Sequence, residues 1–140
     1  MFMNVKESLF EKLEAKKEEM VQHRRYLHQH PELSFQETET AAYIQDFYKN
    51  KDVTITQPLE GSNAIIVEIT GQYLGKTIGL RADFDALPIE EEADVPFKSL
   101  NQGVMHACGH DAHTAYLLGL ADALIDIKDQ LSGTIKIIHQ

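Results

Sequence analysis

A single cysteine, Cys108, occurs among the 140 residues, so no disulfide can form within the chain. A lone cysteine fits a reducing compartment, where such a thiol is packed, metal-bound or catalytic. No apolar run approaches the roughly 20 residues of a membrane span. The first twenty residues, MFMNVKESLFEKLEAKKEEM, place charges in every turn and lack the apolar centre of a secretory signal. These absences point to the cytoplasm. Positive charge is scarce as well: 13 Lys and Arg stand against 22 Asp and Glu, a formal net charge of −9. Bulk affinity for nucleic acid or an anionic membrane is therefore not expected, and neither is assigned as a partner. No internal repeat is present, and the only biased tract is a Lys/Glu-rich patch at residues 11–19. That patch reads as a solvated helix face with paired charges. With 43% hydrophobic residues, the chain has the material for one domain with a real core.

The apolar residues Val5, Leu9, Leu13, Met20, Tyr26 and Leu27 recur at loosely helical spacing. They predict one long helix over 4–30, closed by Pro31, because the residue before a proline is pushed out of helical geometry. A second helix is predicted over 37–49, with Ala41, Ile44, Phe47 and Tyr48 as its apolar stripe. The period then changes. Residues 53–56 and 63–69 are rich in β-branched side chains and predict strands. Residues 71–75 read as a turn, and 76–84 as a third strand, central because its apolar content is nearly continuous. Residues 86–104 hold Pro88, Pro96, Gly103 and the run Glu90-Glu91-Glu92, and predict a loop of a length that is often functional. The acidic run itself is read as solvated. From Asp111, residues Ala115, Leu118, Ala121, Leu124 and Ile125 describe a helix with a buried face. Ser132-Gly133 turns the chain into a strand over 134–138, parallel to the third. The resulting fold class is α/β, a largely parallel or mixed sheet with flanking helices.

Three of the seven histidines and the only cysteine fall between residues 106 and 113, beside Asp111. Thiolate, imidazole and carboxylate are the ligand types that zinc and similar ions favour. Cys108 and His110 are two apart, so they converge only if the segment is a loop entering a helix, with Gly109 as the bend. The helix N-terminus would favour the thiolate of Cys108. Two other readings stand beside this one: a buried small hydrophobe among capping histidines, and a cysteine nucleophile with a histidine base. A second candidate is Asp83 with Asp85, where a strand ends and a loop begins. Two apart on a strand, they share a face. Asp85 could orient a metal-bound imidazole, or either residue could cap the turn. A third is His28-Gln-His-Pro-Glu32 with His23, histidines that a helix C-terminus alone would accommodate.

The stretches RRYLHQHPELSFQE, LRADFDALPI and MHACGHDAH follow one another over nearly the whole chain. Together they resemble the signature blocks of the amidohydrolase branch of the zinc-peptidase superfamily. That group comprises N-acyl-amino-acid amidohydrolases, hippurate hydrolases and indole-acetyl-amino-acid hydrolases. The resemblance implies an α/β catalytic domain holding two divalent ions (zinc, manganese or cobalt), residues 1–140 being its N-terminal part. By position, Cys108 and His110 match two metal ligands, Cys108 as the bridging one. Asp85 matches an aspartate that supports the site from behind the ligands. His106 and His113 match no ligand position, and Asp83 stands where related peptidases carry a histidine ligand. The implied reaction is hydrolysis of the amide bond of an N-acyl amino acid or short peptide-like substrate by a metal-activated water, with a glutamate as base. That glutamate is expected just past a segment like His139-Gln140, so the chain is read as ending short of it. It also ends short of the lid domain through which longer relatives often form homo-oligomers. Little turnover is expected from the chain alone, and a non-catalytic metal-binding or interaction fragment is the alternative.

Overall fold

The helical pattern of residues 4–30 folds as two helices rather than one. They are α1 (Val5–Ala15) and α2 (Lys17–Gln29), in a computed structural model that describes residues 4–140. Asn4 opens α1 with a reciprocal capping box: its side chain accepts from the Glu7 amide at 2.9 Å, and Glu7 accepts from the Asn4 amide at 3.2 Å. Lys16 interrupts the helix at φ −98°, ψ 3°. Periodicity is blind to this break because lysine is a good helix former. Its cause is tertiary. Lys16 Nζ reaches Asp122 at 2.8 Å and Asp126 at 3.0 Å on the last helix, α4 (His110–Asp126), and both α1 and α2 pack against that helix.

The helix α3 (Thr38–Tyr48) lies within one residue of the expected span and buries Thr40, Ala41, Ile44 and Tyr48. The sheet has four strands: β1 (Thr54–Thr56), β2 (Ile65–Thr70), β3 (Tyr73–Ala82) and β4 (Ser132–His139), in the order β1-β2-β4-β3. β4 runs parallel to β3, as its predicted strand–helix–strand connection requires, and antiparallel to β2, so the sheet is mixed. Two expectations change here. Among the described residues β3 is an edge strand, not a central one, because β4 inserts between β2 and β3 and no strand pairs with the far side of β3. Several of its apolar side chains are exposed, Ile78 at 58%, while Leu80 and Ala82 at its end pack on the core. The turn is also shorter than 71–75. Only Gly71 and Gln72 lie outside strands, and Tyr73 already pairs with Ser132.

The core is built by alternation. Ile65, Val67 and Ile69 of β2 and Ile137 of β4 are fully buried against Ile44 and Tyr48 of α3 and Leu118 and Ala121 of α4. At roughly 1.5–3 kcal/mol for each large side chain, this layer fixes where the ends of β3 and β4 meet the start of α4. Residues 86–104 form a long loop without helix or strand, closed at its base by a bridge between Leu87 and Met105. Among the described residues no helix is long and apolar enough to cross a membrane.

Candidate metal centre

β3 ends at Ala82, and Phe84 turns inward, 1% exposed, with its amide donating to the Gln140 carbonyl at 2.8 Å. Its neighbours Asp83 and Asp85 stay half-buried at the strand end. They meet the first residue of α4, whose N-cap is Gly109 at φ 104°, ψ 10°. That left-handed conformation is cheap for glycine alone, and it swings the 106–109 loop into the helix. His110 Nδ1 donates to Asp85 Oδ1 at 2.8 Å and lies 3.1 Å from the Asp85 carbonyl. Its other nitrogen, Nε2, stands 3.9 Å from Asp83 Oδ2, too far for a hydrogen bond. One ligand atom each from Asp83, Asp85 and His110 lies within 4.8 Å of the others, a grouping able to hold a metal ion among the described residues. Thr114 on the next turn of α4 donates to the Asp83 carbonyl at 2.8 Å and ties helix to strand. Arg81 Nη1 sits 2.9 Å from the other oxygen of Asp83, and its Nε donates to Gln140 Oε1 at 2.9 Å. In front lies a cavity of about 490 Å³, lined by Phe35, Asn63, Arg81, Asp83, Asp85 and Gln140 among others.

Cys108 is exposed and falls outside the Asp83–Asp85–His110 set. His113 is exposed too, its ring centroid 5.9 Å from that of His110. His106, in contrast, is 5% exposed, and neither of its ring nitrogens has a hydrogen-bond partner. Burial pushes its pKa down to about 4, against the opposing pull of the Asp111 charge. Such an orphaned buried imidazole is uncommon and needs a cause. The histidines of the first block take no part in the set. His23 Nδ1 lies 2.6 Å from Tyr43 Oη, and His30 donates to the Tyr26 carbonyl at 2.7 Å.

Glu91 corrects the reading of the acidic run as solvated. It is 3% exposed and accepts from His28 Nε2 at 2.7 Å and from the Ser99 amide at 2.6 Å. Asp111, 1% exposed, accepts from His28 Nδ1 at 2.7 Å and from Arg24 Nε at 3.0 Å. Sequence marks Asp111 only as a neighbour of the histidine–cysteine cluster and Glu91 only as a member of the acidic run. An acidic run between prolines has no period that marks one member as buried, and the partner of Glu91 lies 63 residues away.

Comparison with known proteins agrees with this layout. Residues 79–140, which carry Asp83, Asp85, Cys108 and His110, match peptidase family M20/M25/M40. The chain is 48% identical over 117 residues to an N-acetyl-L-cysteine deacetylase of Bacillus subtilis, covering 84% of this chain and 28% of that protein. It is 40% identical over 136 residues to an N-acyl-L-amino acid amidohydrolase of Geobacillus stearothermophilus, covering 96% and 36%. The structure superposes on a dinuclear metal-binding peptidase of the M20 family from Bacillus subtilis with a TM-score of 0.84 at 43% identity, covering 91% of this chain and 35% of that one. The chain thus spans about a third of the length of the relatives it matches. By these matches and the α/β layout that bears them, the chain is similar to about a third of the length of proteins of peptidase family M20/M25/M40.

Proposed function

We propose that this chain supplies the strand-end and helix-start part of a divalent-metal centre that hydrolyses the amide bond of N-acyl amino acids or similar small amides. The observation that carries the reading is the convergence of Asp83, Asp85 and His110, the two aspartates also lining the cavity. The donor set fits a divalent ion. Two carboxylates and an imidazole meet, a thiol stands two residues away on the same loop, and His106 leaves a partnerless imidazole nearby. A bound ion, or a pair of them (zinc, manganese or cobalt), would lower the pKa of the attacking water and offset charge on the amide oxygen.

The residues of the chain have distinct parts. Asp85 accepts the Nδ1 proton of His110, which fixes the ring and presents Nε2 as the donor atom. Cys108 stands just before the Gly109 cap of α4, two residues from His110, and is assigned as a second ligand. Asp83 points a free oxygen toward Nε2 while Arg81 holds the other, so the guanidinium limits how far this carboxylate can turn. The general base and the remaining ligands are assigned to the two-thirds of the relatives' length that this chain does not span. Because no glutamate joins the set among the described residues, a metal-binding part without turnover is the reading favoured for the chain by itself. The unpaired Cys108 supports a cytoplasmic setting.

Metal binding tests the assignment directly. Equilibrium dialysis against Zn²⁺ or Mn²⁺ is expected to show affinity falling about tenfold or more in Cys108→Ala and His110→Ala, and about tenfold in Asp85→Asn. Unchanged stoichiometry and affinity in both ligand variants would remove the basis of the proposal.

A further inference from the structure

The deepest charged cluster of the chain lies behind the metal centre rather than in it. His28, near the end of α2, is 3% exposed, and each of its ring nitrogens faces a different carboxylate at 2.7 Å. One is Asp111, the second residue of α4 and the neighbour of His110. The other is Glu91, in the first third of the loop that joins Asp85 to His106. The imidazole thereby bridges the two carboxylates with both of its nitrogens. Arg24 adds a guanidinium on Asp111, and Phe97 closes the edge of the His28 ring with centroids 5.6 Å apart. Burial pushes the carboxyl of Glu91 up, but the Ser99 amide and His28 pull it further down, so it rests below the ordinary range. Around Glu91 the loop is pinned to the end of α2: the Leu100 amide donates to the Gln29 carbonyl at 2.9 Å, and Asn101 Nδ2 to the Pro31 carbonyl at 3.1 Å.

A buried cluster of ionisable groups is an inefficient way to gain stability, since its desolvation cost rivals its attraction. What it does well is fix geometry, because removing any member leaves a buried polar group without a partner. We infer that His28 is a positioning residue: through Asp111 and Glu91 it clamps the start of α4 and the 86–104 loop to α2. The clamp thereby sets where His110 and Cys108 stand relative to Asp85. This rests on the metal-centre reading above and adds to it a residue 82 positions before His110 that touches no ligand.

Co²⁺ is a suitable probe, because its visible absorption reports ligand geometry as well as occupancy. His28→Gln in the chain is expected to weaken Co²⁺ binding roughly tenfold and to alter the visible spectrum. Glu91→Gln, which keeps an accepting oxygen for His28 and most of the packing, is expected to fold and to weaken binding roughly threefold. Tyr48→Phe serves as the comparison, removing a buried hydrogen bond to His139 away from the clamp. It should lower thermal stability and leave Co²⁺ affinity and spectrum unchanged. If His28→Gln and Glu91→Gln lose stability but bind Co²⁺ with wild-type affinity and spectrum, the clamp is structural only and the inference fails. Absence of Co²⁺ uptake by the unaltered chain would instead sink the metal-centre reading. The clamp would then be judged by hydrogen exchange at the amides of residues 109–113, expected to quicken in Glu91→Gln, with unchanged exchange overturning it.

Discussion

Gly133→Ala is expected to destabilise the chain by more than about 3 kcal/mol and to lower its thermal midpoint by roughly 10 °C. Gly133 has φ +83°, and a Cβ built there would sit 1.9 Å from the Lys76 carbonyl oxygen and 2.9 Å from the Gly75 carbonyl carbon. Both neighbours are backbone, so neither can swing aside. The crowding has a topological cause. β4 must enter between β2 and β3, which are joined by only Gly71 and Gln72, and the pairing of β3 with β4 slips between Tyr73 and Thr77 at this point. Gly71 and Gly75 make similarly close approaches, with Cβ positions 2.5 Å from the Leu131 carbonyl oxygen and 2.7 Å from the Gly133 nitrogen. Gly61 separates the two components of the cost. It has φ +75° but nothing within 4 Å of its Cβ position, so Gly61→Ala should lose only the left-handed penalty of about 1–2 kcal/mol. Urea and thermal unfolding of both variants measure the difference. Equal losses would mean that the β3–β4 crossing yields locally and that the steric argument is wrong.

The parts of this molecule legible from sequence are those with a repeating pattern or a short reach. Ala41, Ile44 and Tyr48 mark the buried stripe of α3, and Leu118 and Ala121 that of α4, because helical period alone selects them. The parallel pairing of β3 with β4 followed from the helix between them. Asp83, Asp85 and His110 were legible as candidates because strand ends and helix starts gather ligands, although the role of Asp83 was open. What pattern could not reveal depends on contacts between distant segments. Lys16 breaks a helix its own propensity favours because Asp122 and Asp126 lie over it. Glu91 leaves an exposed-looking acidic run because His28 waits for it. β3 reads as a central strand by composition, yet its position depends on which strand sits beside it, and that is settled by a crossing at glycines with no apolar signal. His106 was named without a role. Its two orphaned nitrogens become visible only once the loop is folded.

Acid should unfold this chain earlier than its carboxylates alone would dictate. His139, at the end of β4, is 0% exposed; its Nε2 lies 2.9 Å from Tyr48 Oη, and its Nδ1 has no partner. Burial pushes its pKa from the ordinary 6.5 down to about 4. Over that window the unfolded chain takes up a proton that the folded chain refuses. Stability is therefore fully present above about pH 6.5 and drains as pH falls toward 4, by up to about 1.4 kcal/mol per pH unit for one histidine. Over the whole window the loss is on the order of 3 kcal/mol, a large part of the stability of a typical domain. His106, pushed down to about 4 by the same cause, acts in the same direction. Asp122, held below the usual carboxylate range by Lys16 and Lys51 despite its burial, contributes only at lower pH, where its own protonation begins. Unfolding in urea at intervals from pH 7.5 to 4 should thus show a steep decline, and His139→Gln should cut its slope by about half. The variant should be the weaker of the two at pH 7, where the packing of His139 is lost, and should close the gap as the pH falls. A slope unchanged by His139→Gln would show that the proton is taken up elsewhere.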